Sequence, residues 1–453
     1  MNREYFKNKK VLVVGLGKSG IAAMEALVKL GARVNIQDSK TEDKIAENLL
    51  EYIKENNIGK YLGMIPEEMG AFDILVLSPG VPTDLPFIND AREKGVKIMG
   101  ELELAYRVCP GNFAAITGTN GKTTTTTLAG EIFAAAYEHT YVVGNIGVAV
   151  VSKSLEAEED SWLVTECSSF QLETIDEFKP WVSAILNLTP DHLNRHKTME
   201  NYGAAKARVF ENQDEDGYLV INYDDKLCYS LSEGCRAKIV PFSRKEKLDY
   251  GAYLDGDMIV INEGKVIPIC RKDELKIIGS HNVENVLAAA TLCYFAGISA
   301  DIIGETIRNF GGVEHRIEYV DEIAGIKYYN DSKGTNTDAT ITAIRALEKN
   351  IILLAGGDAK KQDFAPLAAE LEGAVKTLIL YGRDAGDIKK ACDDAGYKAY
   401  KEAADLEEAV KLAAADAVSG DSVLLSPACA SWDAYPNFEA RGDHFKKLVG
   451  EIK

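Results

Sequence analysis

Short apolar runs typical of β-strands alternate with longer periodic segments along this 453-residue chain. Val11–Val14 precedes the helical pattern Ser19–Leu30, and Asn112–Thr117 precedes Thr123–Ala136. This order is typical of parallel sheets covered by helices, in which ligands bind at the carboxyl ends of the strands. The sequence therefore predicts an α/β protein. One segment differs: in Met258–Pro268, Asn-Glu-Gly separates two β-branched runs and predicts a local hairpin.

Chain length and glycine punctuation predict three domains. A domain usually has ~100–200 residues, so a chain of this size most simply holds three. A new glycine-rich strand–turn–helix pattern follows Met99–Glu101, and a Gly-Gly pair at Gly311–Val313 ends a helical pattern. We therefore predict domains at residues 1–100, 101–312 and 313–453.

Charge and composition exclude several classes of protein. The 51 Lys and Arg residues against 70 Asp and Glu residues give a net charge of −19, which argues against nucleic-acid binding. The longest apolar run, Val286–Ile298, is shorter than the ~20 residues that cross a bilayer and predicts a buried helix. The N-terminus lacks a secretory pattern, and the eight scattered cysteines indicate reduced thiols. We expect a cytoplasmic protein without membrane insertion.

The first chemical motif is Gly15-Leu-Gly-Lys-Ser-Gly20, which follows a strand and opens a helix. Asp38 ends the next strand, as in dinucleotide-binding turns, where glycines admit a pyrophosphate and the acid binds a ribose hydroxyl. The motif fits a redox dinucleotide, another nucleotide diphosphate, or a tight turn without ligand. Ser78-Pro79-Gly80 ends the adjacent strand and could line the same crevice.

The second motif, Thr117-Gly-Thr-Asn-Gly-Lys-Thr123, also lies between a strand and a helix. Its spacing is shorter than that of a standard phosphate loop, but its amides and the helix N-terminus can still hold phosphates. Lys122 supplies a positive charge and the Thr123 hydroxyl can bind magnesium. Two separate nucleotide loops in one chain are not needed by an ordinary dehydrogenase.

Acidic and histidine residues follow two further strands. Glu166 opens the segment Glu166-Cys-Ser-Ser-Phe-Gln-Leu-Glu173, and Asp191-His192 follows the predicted strand Val182–Asn187. Near a phosphate loop, an acid and a histidine at strand ends predict a magnesium site. His139, His196 and His444 lack such a context, and we predict no functional role for them.

The last third of the chain has polar turns at several strand ends, which predict a substrate-facing lobe. They are Asn330-Asp-Ser-Lys-Gly-Thr335, Gly356-Gly-Asp-Ala-Lys360 and Ser426-Pro-Ala-Cys-Ala-Ser431 with Asn437-Phe438; Glu314-His-Arg316 lies outside a strand end. Upstream of them, His281-Asn-Val-Glu-Asn285 opens an apolar helix. Its amides could bind a nucleoside, or Asn282 could cap the helix.

Together these residues resemble the ATP-dependent Mur ligases over nearly the whole chain. The most specific segments are Gly118-Thr-Asn-Gly-Lys-Thr-Thr124, Glu166–Glu173, Tyr202-Gly-Ala-Ala-Lys206, Asn330-Asp-Ser-Lys333, Ser426–Ser431 and Asn437-Phe-Glu-Ala-Arg-Gly442. The resemblance implies three α/β domains: an N-terminal Rossmann-like domain, a central phosphate-loop ATPase-like domain with a parallel sheet, and a C-terminal Rossmann-like domain. It also implies a monomer.

The resemblance further implies a role for each matched residue. UDP-sugar contacts would be Gly15, Leu16, Asp38, Ser39, Ser78, Pro79, Gly80 and Asn145. ATP contacts would be Gly118, Asn120, Gly121, Lys122, Thr123, Thr124, Asn282, Asn285, Arg316 and Asp331. Contacts for D-glutamate would be His315, Thr335, Lys360, Ser431 and Phe438. One Mg²⁺ would be held by Thr123 and Glu166, and a second by His192 with a Lys206 carbamylated by CO₂. The catalytic residues would be Lys122, Glu166, His192 and Lys206.

The implied activity is the ATP-dependent addition of D-glutamate to UDP-N-acetylmuramoyl-L-alanine, through an acyl phosphate, in peptidoglycan precursor synthesis. Two other hypotheses stay open from the sequence. Gly15–Gly20 with Asp38 would suit a nicotinamide-dependent oxidoreductase, and the ATP loop would suit a non-catalytic regulatory protein.

Overall fold

The computed structural model of the chain describes residues 3–359 and 362–452. These residues divide into two compact units. The first unit contains residues 1–274 and 283–308, and the second contains residues 275–282 and 309–453.

The N-terminal part of the first unit is a five-stranded parallel sheet in the order β3-β2-β1-β4-β5. Its strands are β1 Lys10–Val14, β2 Arg33–Asp38, β3 Gly59–Leu62, β4 Ile74–Leu77 and β5 Lys97–Gly100. Its helices are α1 Lys18–Lys29, α2 Glu47–Glu55, α3 Pro86–Glu93 and α4 Glu101–Val108. The strand order reverses between β1 and β4, and ligands of doubly wound sheets bind at such a reversal. The turns after these two strands carry Gly15 and Ser78.

A nine-stranded sheet follows, in the order β14-β13-β12-β11-β10-β9-β6-β8-β7. Its strands are β6 Asn112–Thr117, β7 Thr140–Gly144, β8 Trp162–Glu166, β9 Val182–Ile185, β10 Tyr218–Asn222, β11 Lys238–Ser243, β12 Tyr250–Asp255, β13 Met258–Glu263 and β14 Val266–Arg271. The accompanying helices are α5 Lys122–Ala136, α6 Val150–Ser154, α7 Ser169–Leu172, α8 Leu193–His196, α9 Met199–Ala207, α10 Lys226–Ser230, α11 Ser280–Phe295 and α12 Ala300–Asn309. Strands β13 and β14 form the predicted antiparallel hairpin.

The second unit contains a six-stranded sheet in the order β15-β16-β20-β17-β18-β19. Its strands are β15 Glu318–Ile323, β16 Ile326–Asn330, β17 Ile351–Gly356, β18 Val375–Tyr381, β19 Tyr400–Glu402 and β20 Ser422–Leu425. Its helices are α13 Thr337–Leu347, α14 Ala365–Leu371, α15 Ala385–Ala395, α16 Leu406–Asp416 and α17 Phe438–Gly450. All pairs in this sheet are parallel except β15 with β16.

The α/β class predicted from strand–helix alternation is confirmed. Apolar residues on β1, β6 and β17 are almost entirely buried, because helices cover both faces of each sheet. Val286 and its apolar neighbours belong to the buried helix α11, as predicted. Within the described part of the chain, no helix has the length and apolarity required to span a membrane.

One local expectation is wrong. Helix α11 begins at Ser280, so Asn282 lies inside its first turn and is not its N-cap. The Asn282 side chain instead donates from Nδ2 to the carbonyl of Ile278, 2.7 Å away.

Candidate active site

The first glycine-rich turn lies between β1 and α1. Gly15 has a φ of +86°, and its carbonyl accepts a hydrogen bond from Ser78 Oγ at 2.7 Å. A Cβ on Gly20 would lie 1.9 Å from the Gly15 carbonyl oxygen, so the first turn of α1 can approach the loop only with glycine there. These contacts fix the backbone of the turn at the carboxyl edge of the sheet.

Asp38 closes this turn from the end of β2. Its Oδ2 accepts from the Leu16 amide at 2.7 Å, and its Oδ1 accepts from the Lys40 amide at 2.9 Å. The carboxylate therefore orders the loop backbone directly. The structure brings Gly15, Leu16, Asp38 and Ser78 together at one sheet edge, with Ser39, Pro79 and Gly80 on the same two strand-end turns.

The second glycine-rich turn lies between β6 and α5. Gly121 is in the left-handed region, with a φ of +81°, and occupies the N-cap of α5. A Cβ there would lie 2.2 Å from Asn285 Oδ1, so the predicted ATP contact Asn285 packs directly against the loop. The helix that follows is 15 residues long, and its N-terminal amides suit a phosphate group.

Asn187, which the sequence analysis did not select, shapes this loop. Its Oδ1 accepts from the amides of Thr119 and Asn120 at 3.1 and 2.8 Å, and its Nδ2 donates to the Asn120 carbonyl at 3.0 Å. The only signal in the sequence is an asparagine between two leucines after an apolar strand. Its function follows from the pairing of β6 with β9, which brings residues 67 and 68 positions apart into contact.

Two lysine side chains converge on one carbonyl of the same loop. Lys122 Nζ donates to the Gly118 carbonyl at 2.9 Å, and Lys206 Nζ donates to that carbonyl at 2.7 Å. Lys206 is 1% exposed and its ammonium lies 4.4 Å from the centre of the Tyr202 ring. Burial, and then repulsion from Lys122, hold the pKa of Lys206 well below its ordinary value. A neutral amine is therefore favoured at this position.

Glu166 ends β8 and is 1% exposed. Its Oε1 accepts from Asn145 Nδ2 at 2.8 Å, which places the predicted UDP-sugar contact Asn145 against the predicted metal ligand. Its Oε2 is buried and has no hydrogen-bond partner within residues 3–359 and 362–452. A buried carboxylate oxygen without a partner is costly, and a cation would stabilise it. The residue thus fits the predicted magnesium ligand.

His192 lies at the N-cap of α8 and has a positive φ of 53°. Its side chain is 48% exposed, and its ring centre is 4.9 Å from that of Phe170. Asp191 Oδ2 is 3.4 Å from its Nε2. His192 is therefore accessible to a ligand while its ring packs on the Glu166–Glu173 segment.

Most polar side chains of the segment Glu166–Glu173 form hydrogen bonds that stabilise the local structure. Ser168 and Gln171 form a capping box at the start of α7. Ser169 Oγ hydrogen-bonds to His196 Nε2 at 2.9 Å, and His196 is buried. Burial lowers the pKa of His196 and favours its neutral form.

In the second unit, a network of buried polar side chains surrounds the end of β16. Asp331 Oδ2 accepts from Ser426 Oγ at 2.6 Å, and Asp331 Oδ1 accepts from the Ile317 amide at 3.2 Å. Burial raises the pKa of Asp331 to about 7, and the positive charge of Arg316 opposes that rise. Two predicted ATP contacts, Arg316 and Asp331, therefore lie close enough to interact.

The predicted D-glutamate contacts are partly brought together in this unit. The rings of His315 and Phe438 are 5.9 Å apart, and the Phe438 carbonyl accepts from Ser332 Oγ at 2.8 Å. Ser431 is 2% exposed. The Thr335 carbonyl accepts a hydrogen bond at 3.3 Å from Gln362 Nε2. Lys360 lies outside the residues that the structure describes.

Two further side chains hold these turns in place, and the sequence analysis assigned neither of them a role. Gln362 Nε2 lies within hydrogen-bonding distance of the carbonyls of Thr335, Ala359 and Ala428, at 3.3, 3.1 and 3.2 Å. Arg441 is fully buried and donates to Ser332 Oγ, the Ser332 carbonyl and the Cys429 carbonyl. Each residue therefore joins turns that follow different strands.

Comparison with known proteins accounts for all three parts of the chain. Three family models match: "Mur ligase MurD-like, N-terminal domain" at residues 9–100, "Mur ligase middle domain" at residues 116–293, and "Mur ligase, glutamate ligase domain" at residues 315–429. The chain is 50% identical over 451 residues to a UDP-N-acetylmuramoylalanine--D-glutamate ligase of Alkaliphilus metalliredigens (strain QYMF). It is 51% identical over 454 residues to the enzyme of that name from Thermoanaerobacter sp. (strain X514). Both alignments cover 99% of this chain and 99% of the relative.

Solved structures agree on the fold. The crystal structure of UDP-N-acetylmuramate-alanine ligase MurC from Thermotoga maritima matches with a TM-score of 0.59 at 19% identity. That match covers 98% of this chain and 100% of the other. The predicted three-domain α/β architecture is therefore confirmed. The comparisons give no support to the hypothesis of a nicotinamide-dependent oxidoreductase.

Proposed function

The chain belongs to the Mur ligase family, and on that premise we propose that it adds D-glutamate to UDP-N-acetylmuramoyl-L-alanine with hydrolysis of ATP. This would be a step of peptidoglycan precursor synthesis. The observation that carries the proposal is the arrangement at the second glycine-rich loop. Lys122 and Lys206 both donate to the Gly118 carbonyl in the domain that also holds Glu166, whose buried Oε2 has no hydrogen-bond partner among the described residues.

The chemistry requires activation of a carboxylate, because a carboxylate is a poor electrophile. In the proposed reaction, the γ-phosphoryl group of ATP is transferred to the substrate carboxylate, which gives an acyl phosphate and ADP. The amine of D-glutamate then attacks the carbonyl carbon, an amide bond forms, and inorganic phosphate and a proton leave. Such a reaction depends mainly on positioning and charge neutralisation.

The two glycine-rich loops supply separate binding sites in this proposal. The turn ordered by Asp38 and Ser78 would hold the diphosphate of the UDP-sugar through backbone amides. The loop ordered by Asn187 and Asn285 would hold the ATP phosphates, with Lys122 as the cation. Asn282, Arg316 and Asp331 would contact the nucleoside, and His315, Thr335, Lys360, Ser431 and Phe438 would bind D-glutamate.

The residues present fit Mg²⁺. Thr123 and Glu166 would hold one Mg²⁺, and His192 with Lys206 would hold a second; both ions would neutralise phosphate charge. An ammonium has no lone pair to donate, and Mg²⁺ prefers oxygen ligands to an amine nitrogen, so Lys206 would serve as a ligand through a carbamate formed with CO₂. Its low pKa supports this assignment, since a neutral amine is the form that reacts with CO₂.

The test is the release of phosphate from ATP by the purified chain. We expect release only when UDP-N-acetylmuramoyl-L-alanine and D-glutamate are both present, and a product whose mass equals the two joined with loss of water. L-Glutamate and UDP-N-acetylglucosamine serve as matched controls. Phosphate release that is independent of either substrate would contradict the proposal. ATP binding without hydrolysis under every substrate combination would favour a regulatory protein.

A further inference from the structure

Arg195 connects the first glycine-rich crevice to the segment that carries His192. Its Nη1 donates to the Pro79 carbonyl and its Nη2 donates to the Val81 carbonyl, both at 3.2 Å. These carbonyls belong to the turn after β4, whose residues Ser78, Pro79 and Gly80 are proposed UDP-sugar contacts. The contacts join residues that are 116 and 114 positions apart in the chain.

Glu173 fixes the orientation of this guanidinium. Arg195 Nε is 3.3 Å from Glu173 Oε1, and Nη2 is 2.5 Å from Oε2, so the pair is bidentate. Both side chains are 17% exposed. All three guanidinium nitrogens are therefore engaged, which is a geometry that lysine cannot reproduce.

The same guanidinium packs on an aromatic ring that also contacts His192. Arg195 Cζ lies 4.4 Å from the centre of the Phe170 ring. The rings of His192 and His196 lie 4.9 and 5.5 Å from the same ring. Arg195 and His192 are also three residues apart at the start of α8. They are therefore connected both through the helix backbone and through their shared contact with Phe170.

We propose that Arg195 is a positioning residue that couples the turn Ser78–Val81 to the orientation of His192. This inference rests on the proposed function, in which that turn contacts the UDP-sugar and His192 serves the metal. A UDP-sugar that orders the turn would also order the Pro79 and Val81 carbonyls, and through Arg195 and Phe170 it would restrict the His192 ring. Binding of the UDP-sugar at the first glycine-rich turn would then strengthen binding of the metal at His192.

The chain offers a close control in Arg208. Its Nη1 and Nη2 donate to the carbonyls of Glu173 and Ile175 at 2.6 and 2.8 Å, and it forms an ion pair with Glu211. Arg208 therefore has the same two-carbonyl fork and one carboxylate partner as Arg195. Its partners among the described residues all lie in the central domain, so removing it tests the loss of a structural arginine that contacts the same segment but not the turn Ser78–Val81.

The experiment measures the Mg²⁺ concentration for half-maximal activity in the wild-type protein, Arg195→Ala, Arg195→Lys and Arg208→Ala. We expect Arg195→Ala to raise that concentration by about tenfold or more, as for other residues that orient metal ligands, while Arg208→Ala leaves it unchanged. Arg195→Lys keeps the charge and loses the fork, so its melting temperature should lie closer to the wild type than that of Arg195→Ala, and it should still show a raised Mg²⁺ requirement. It therefore provides the test if Arg195→Ala does not fold.

A second measurement tests the coupling itself. Titration of Mg²⁺-ATP binding with and without UDP-N-acetylmuramoyl-L-alanine should show tighter binding with the sugar in the wild type and no difference in Arg195→Lys. Equal Mg²⁺ requirements in Arg195→Lys and the wild type, or equal shifts in Arg195→Ala and Arg208→Ala, would overturn the inference while the wild-type activity stands. A wild-type protein that neither binds the UDP-sugar nor releases phosphate would overturn the proposed function, and the inference with it.

Discussion

The two glycine-rich loops have the same local design and are completed by opposite charges. Each follows a parallel strand, contains at least one glycine with positive φ and opens a long helix. In the first loop a carboxylate closes the turn, because Asp38 accepts a hydrogen bond from the Leu16 amide. In the second loop two lysine amines converge on the Gly118 carbonyl.

In the proposed function, this difference would let one backbone arrangement bind two different ligands. The carboxylate beside the first loop adds no positive charge, so the diphosphate proposed there would be held by backbone amides, and the carboxylate would suit hydroxyl groups of the same ligand. Lys122 and Lys206 beside the second loop favour a negatively charged triphosphate and its metal. The lysines at the first positions of the two helices also differ, because Lys18 of α1 is exposed and Lys122 is held by the loop carbonyls of Gly118 and Thr119.

The largest expected effect comes from the second loop. Lys122→Ala should lower kcat by roughly 10²–10³-fold, since it removes a fixed charge where phosphate charge develops. Lys18→Ala is the matched substitution in the first loop and should change KM for the UDP-sugar by at most about fivefold, as for an exposed ion pair. Steady-state kinetics and thermal melts measure both. If Lys122→Ala and Lys18→Ala lowered kcat equally, the lysine charge would have the same importance in both loops, contrary to this comparison.

Lys206 tests whether the second loop uses a neutral amine. Lys206→Ala should lower activity roughly 10–100-fold, with partial rescue by short carboxylic acids such as acetate that replace a carbamate. Because the pKa of Lys206 is low, its neutral amine should persist below the ordinary pKa of lysine, and wild-type carbamylation should increase as pH rises through the lowered value. Wild-type activity should fall in CO₂-free buffer. Unchanged activity there, together with no rescue of the variant, would contradict the carbamate.

Asp38 tests the carboxylate of the first loop. Asp38→Ala leaves the Leu16 amide without its partner, at a cost of about 1–3 kcal/mol, so KM for the UDP-sugar should rise roughly tenfold while KM for ATP stays constant. Asp38→Asn keeps an acceptor oxygen, so its KM for the UDP-sugar should lie between the values for Asp38→Ala and the wild type. A parallel change in both KM values would mean that Asp38 acts on the whole unit.

The smallest effects compare two glycines of the first loop by urea unfolding. Gly20→Ala should destabilise the protein by about 1–3 kcal/mol or more, because its Cβ would lie 1.9 Å from the Gly15 carbonyl oxygen. Gly17→Ala has open space and an ordinary φ of −74°, so its effect should stay within about 1 kcal/mol of zero. Similar free energies of unfolding for the two variants would show that the close approach of α1 to the Gly15 carbonyl is not required for stability.

Most central strands could be predicted from the sequence, and most edge strands could not. Asn112–Thr117 matches its predicted bounds, and the predicted Val11–Val14 begins one residue after the start of β1, because both faces of these strands are buried and their sequences are apolar. The edge strands β3, β7, β15 and β19 were not predicted. They lie at the ends of their sheets and are less buried, so their side chains give a weaker pattern.

Residues of the candidate site divide in a similar way. Gly121, Lys122 and Glu166 could be selected because each belongs to a short motif with a local function. Asn187, Arg195 and Gln362 could not, because each acts on turns that are distant in the chain and looks like an ordinary polar residue in sequence. The D-glutamate contacts, the metal ligands and the domain bounds stay predictions.

By itself, the sequence of this protein determined the alternation of strands and helices, the turns that only glycine can form, and the charged groups that follow them. Tertiary structure alone decided that Lys206 reaches a carbonyl 88 positions away and that Arg195 joins two domains' turns. The physical reason is that hydrophobic periodicity and backbone sterics act over a few residues. Contacts between distant turns depend instead on the order of strands in the sheets and on how the domains of the first unit pack together.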